Sequence, residues 1–98
     1  MARVEFFIRN EAGKEEVHRS KEITTRDYRD YLVMTTQIES GELNAVQQLD
    51  AELNFIAGLF DDVTVDELLE RTDYSQIFEA FAKIYAHLVG GSSGEGKD

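Results

Sequence analysis

The chain contains no cysteine, which excludes a disulfide, an iron–sulfur cluster and thiol chemistry. Proline is also absent. No apolar run approaches the ~18 residues that a membrane-spanning helix requires. The first residues, MARVEFFIRNEAGK, lack the basic-then-apolar order of a secretory signal. Positive charge is scarce as well. Ten Lys and Arg stand against twenty Asp and Glu, a formal net charge of -10. A duplex or an anionic membrane surface is held by clustered bases that neutralise phosphate. The expectation is therefore a soluble intracellular protein that binds neither nucleic acid nor membrane.

The residues of catalysis are equally thin. His18 and His87 are the only histidines, and no Ser–His–Asp order accompanies them. No glycine-rich loop precedes a helix in phosphate-binding form. Carboxylates are plentiful, yet nowhere do they take the D-x-D-x-D-G spacing of a calcium loop. The sequence points away from an enzyme and implies no cofactor and no metal.

What is present is a charge division. Residues 1–29 carry seven bases and six acids; residues 30–98 carry three bases and fourteen acids. Such asymmetry suits a basic partner or head-to-tail self-association, and also suits a plain solvated acidic surface. With 42% hydrophobic residues in 98, the chain can bury one modest core.

The segment 3–9, RVEFFIR, alternates Val4, Phe6 and Ile8 with mostly polar neighbours, the period of a half-buried strand. Phe7 interrupts it. NEAGK (10–14) offers turn residues and 15–23 a weaker strand, so a β-hairpin is expected over 3–20. Two strands alone are marginal in water, so its apolar face must lie on helices. Helix one is expected over 25–39, with Tyr28, Tyr31, Leu32, Thr35 and Ile38 on one face. Helix two is expected over 43–60, with a stripe of Val46, Leu49, Leu53, Ile56 and Phe60.

Asp61 and Asp62 oppose the negative end of a helix dipole, so the chain should turn there. Thr64 with Glu67 fits a capping box opening helix three, 65–71, with Val63 poised against Leu68. Asp73 with Gln76 fits a second box opening helix four, 74–89. The glycine- and serine-bearing segment 90–98 reads as a flexible tail. The expected class is α+β, mainly α: an N-terminal hairpin and a small bundle of three to four helices, forming a single domain over 1–89.

Helix four carries Tyr74, Phe78, Phe81 and Tyr85 beside Ile77, Ile84 and Leu88. These are either core alone or core plus a surplus that serves as an interface. With Phe55 of helix two, the four aromatics are the candidate partner-binding residues.

The stretch 43–90 resembles the tail assembly chaperones of long-tailed bacteriophages: an apolar helix ending FIAGLFD, the acidic helix start VTVDELLE, then a final amphipathic helix. The resemblance implies a protein of the infected cell's cytoplasm that binds and solubilises the tape measure protein during tail morphogenesis and is not retained in the virion. It also implies self-association, and a longer frameshifted form that recruits the tail tube protein. Gly96-Lys97 can be encoded by a slippery sequence. Two other readings stand beside it: an acidic inhibitor imitating the charge of DNA, which the interleaved bases of residues 1–29 disfavour, and a small helical virion or adaptor protein.

Overall fold

The computed structural model describes residues 3–89. Strands β1 (Glu5–Arg9) and β2 (Glu15–Arg19) form an antiparallel hairpin, followed by α1 (Thr25–Glu39), α2 (Ala45–Gly58), α3 (Val65–Arg71) and α4 (Tyr74–Leu88). The α+β, mainly α reading is correct. Helices one and three match their expected spans; helix two is shorter at both ends and helix four ends one residue early. The tail expected over 90–98 lies outside the described residues.

The hairpin turn is built by Asn10, whose Oδ1 accepts the N–H groups of Ala12 and Lys14. Gly13 sits at φ 84°, a left-handed conformation that a Cβ would strain. The register pairs Phe6 with His18, Phe7 with Val17 and Ile8 with Glu16. Val4, Phe6 and Ile8 are buried, and Phe7 is left on the outer face, where its place among polar residues had put it.

These three residues meet Leu53, Ile56, Leu59, Phe60, Val63, Leu68, Ile77, Ala80 and Ile84 in one apolar cluster. Helix α1 contributes nothing to it. Of α1 only Asp27 and Met34 are buried, so the expected stripe is displaced: Leu32 is exposed. Along α2, burial rises from an exposed Val46 to fully enclosed Leu53 and Ile56. The stripe continues on the sequence past the point where neighbours cover it.

The acidic turns behave as helix starts. Thr64 Oγ1 accepts the Glu67 N–H while Glu67 accepts the Thr64 N–H at 3.0 Å. Asp73 and Gln76 exchange the same pair of bonds at 3.0 and 2.9 Å. Val63 and Leu68 are both buried in the cluster, as a hydrophobic staple requires. Two further boxes escaped the sequence reading. Asn44 and Gln47 open α2, and Asp27 reaches back to the Thr24 N–H at 2.8 Å to open α1.

Candidate partner-binding surface

Helix α4 divides its large side chains between two flanks. Ile77, Ala80 and Ile84 face the core. About a quarter-turn away, Tyr74, Phe78 and Tyr85 remain 61%, 67% and 49% exposed. A 3.6-residue period places Tyr74, Phe78 and Tyr85 within ~40° of one another, and Phe81 between them and the core. The predicted stripe is therefore real but wider than the interior. Ala80, too small to register as apolar pattern, takes the buried place that the aromatics do not.

Phe81 and Phe55 are half-buried and bind the two flanks together. Their rings stack at 6.1 Å between centroids. Phe55 also meets Tyr31 of α1 at 5.8 Å, and Tyr31 meets Tyr85 at 5.7 Å. The structure thus joins Phe55, Phe81 and Tyr85 through Tyr31, a residue sequence reasoning left off the candidate surface. The signal for it was present: Tyr31 is an aromatic in the middle of α1's apolar stripe.

Tyr74 and Phe78 lie farther along, lining an open groove of about 230 Å³ between α1 and α4. Its α1 wall is Tyr31, Met34, Thr35 and Ile38, and Glu52 of α2 stands within it. Burial pushes the Glu52 carboxyl above its ordinary range, because the charged form loses water there. The Tyr31 hydroxyl is likewise raised, by burial first and then by Tyr85, Tyr28 and the carboxylates of Glu39 and Glu52. Exposed rings around a partly desolvated acid can bury an apolar helix and receive one cationic group from it.

A larger hollow of about 370 Å³ lies on the opposite flank of α1, bordered by Val33, Met34 and Phe55. Asp27, Asp30, Gln37 and Asn54 also line it, so an apolar occupant would strip water from charged and amide groups. The α1–α4 groove is the better apolar receptor.

Among the described residues, no group of His, Asp and Glu is placed to hold a metal ion. No helix among them is long and apolar enough to cross a membrane.

A family model described as phage tail chaperone protein matches residues 1–98. No curated protein and no solved structure matches the chain. The match takes in the hairpin, the helices and the groove between α1 and α4 together, and by it the chain belongs to the phage tail chaperone protein family.

Proposed function

We propose that the α1–α4 groove receives a helical segment of the tape measure protein, keeping that long chain soluble until tail tube subunits assemble around it. The observation that carries the reading is the exposure of Tyr74, Phe78 and Tyr85 on one flank of α4, continuous with the Phe55–Phe81 stack. A folded chain seldom leaves three adjacent rings in water without an occupant for them. The net charge of -10 supplies the second requirement of such a chaperone, since like-charged coated complexes repel one another. The protein acts in the cytoplasm of the infected cell and is absent from the finished tail.

Co-expression with the tape measure protein tests this. Phe78→Asp places a charge where the groove is most apolar and exposed, so the variant keeps its fold by circular dichroism and loses the soluble complex. A folded Phe78→Asp protein that still solubilises the tape measure protein would sink the reading. A longer form, extended by frameshifting near Gly96-Lys97, brings the tail tube protein to the complex. The nucleotide sequence around these codons tests that part: it should hold a slippery heptamer and an overlapping downstream frame.

A further inference from the structure

The hairpin carries a second surface, unrelated to the groove. Ladder parity decides which edge is open. Ser20 N–H donates to Val4 O and Asn10 N–H to Lys14 O, so the even-numbered residues of β2 turn their backbone groups toward β1. Glu15, Val17 and Arg19 therefore turn theirs outward. On the far side of β1 the corresponding outward carbonyl, Phe7 O, is occupied by the Gln76 amide at 3.0 Å. Among the described residues nothing occupies the outward groups of β2, and the strand is exposed except at half-buried His18, with Val17 55% exposed. Beyond it the edge closes, because Lys21 N–H donates to Leu59 O.

The sequence of this edge, Glu15-Glu16-Val17-His18-Arg19, complements itself when reversed. We propose that β2 pairs antiparallel with β2 of a second copy, about a two-fold axis through Val17. In that register Glu15 faces Arg19 of the second copy and Val17 faces Val17. These are the residues with outward backbone groups, so three facing pairs form about six new hydrogen bonds.

The outer face adds a stronger argument. Each chain presents Glu5, Phe7 and Arg9 on β1 opposite Arg19, Val17 and Glu15 on β2. Across four strands one row reads Glu5, Arg19, Glu15, Arg9 and its symmetry mate reads the reverse, so charge alternates at every step. The Arg19–Glu5 ion pair at 2.6 Å is the half of this row already formed within one chain. Between the two rows Phe7, Val17, Val17 and Phe7 make one apolar strip. Shifting the register by two residues in either direction sets Val17 against Glu15 or Arg19 of the second copy, which breaks the apolar strip and the charge alternation, and in one direction opposes Glu15 to Lys21, whose N–H is already given to Leu59 O. An edge that matches its own copy in hydrogen bonding, charge and apolar character is fitted for a two-fold partner.

Sedimentation across a concentration series, with circular dichroism as the fold control, tests the interface. The wild-type chain sediments as a dimer and dissociates on dilution. Val17→Pro removes an outward N–H that β1 does not use, so the hairpin survives while the dissociation constant rises at least tenfold, about the effect of two lost hydrogen bonds. Glu15→Arg and Arg19→Glu each set like charges opposite one another and weaken self-association. Mixed together, the two variants restore dimerisation, because the wholly basic edge of one then faces the wholly acidic edge of the other across the axis. Phe78→Asp leaves the dimer intact, which separates this edge from the groove. A wild-type chain that stays monomeric throughout overturns the proposal. So does a folded Val17→Pro protein that dimerises normally, or a charge-swapped mixture no tighter than its components. Should Val17→Pro fail to fold, the mixture alone decides.

Discussion

Phe55 and Phe81 stack almost parallel, at 12° between ring planes, where α2 and α4 meet at the floor of the aromatic surface. This pair marks the border between residues that fill the interior and residues left exposed to water. Inside it lie Ile56 and Ile84, fully enclosed. Outside it lie Phe78 and Tyr74, facing water.

Substitution on either side of that border should separate stability from binding. Phe81→Ala removes the stack and part of the core's cover, lowering unfolding free energy by about 2–3 kcal/mol, below the range for a fully buried ring. Phe78→Ala changes it by no more than about 0.5 kcal/mol, as an exposed position does. Urea unfolding monitored by circular dichroism measures both. Equal losses for the two would mean the border is misplaced.

Asp27 gives the fold an acid-sensitive joint. Burial alone would raise its carboxyl, but the Lys21 ammonium at 2.9 Å and the Thr24 N–H outweigh burial and hold it below the usual carboxylate value. A depressed folded value means the stabilisation is present above the unfolded value, about 4, and is lost as pH falls through the folded one. Asp27→Asn should lower stability by about 1–2 kcal/mol at pH 7, the scale of a lost cap and charged hydrogen bond. The difference from wild type should shrink steadily below pH 4. Unfolding midpoints at a series of pH values measure this, and a difference that grows on acidification would contradict the assignment.

Glu52 carries the opposite sign. Its folded value is raised by burial, so the penalty is absent below the unfolded carboxylate value and develops as pH rises through it. Glu52→Gln should therefore stabilise the protein at pH 7 by a few tenths of a kcal/mol, a small figure because solvent still reaches the side chain. At pH 3 it should have no effect. If the groove receives a cationic group beside the rings, the same substitution weakens client binding while stabilising the free protein, and a pull-down beside the unfolding series reads both.

Much of this was legible in the residues. Capping boxes are local, and Thr64–Glu67 and Asp73–Gln76 form as their spacing requires. The alternation of Val4, Phe6 and Ile8 assigned a face to β1 correctly, because a two-stranded hairpin has only two faces to choose between. The difficulties came where a pattern does not say how far its partner reaches. Val46 belongs to α2's stripe by angle yet lies beyond the elements that cover Leu53 and Ile56. On α1 the stripe centres on Tyr31, Met34 and Ile38, one edge of it being Asp27, a charged residue no hydrophobic pattern counts. The candidate groove was legible as surplus aromatic area on α4, but its second wall on α1 depends on the packing of two helices far apart in sequence.

Helix α1 sends no residue into the main apolar cluster and is fastened instead by Asp27 with Lys21 and Thr24 at its first turn, by the Tyr31 ring against Phe55 and Tyr85, and by buried Met34. Its hold on the rest of the protein passes through polar bonds and ring contacts that lie outside that cluster. The α1 wall of the groove, Tyr31, Thr35 and Ile38, can therefore change its side chains without touching the residues that fill the interior.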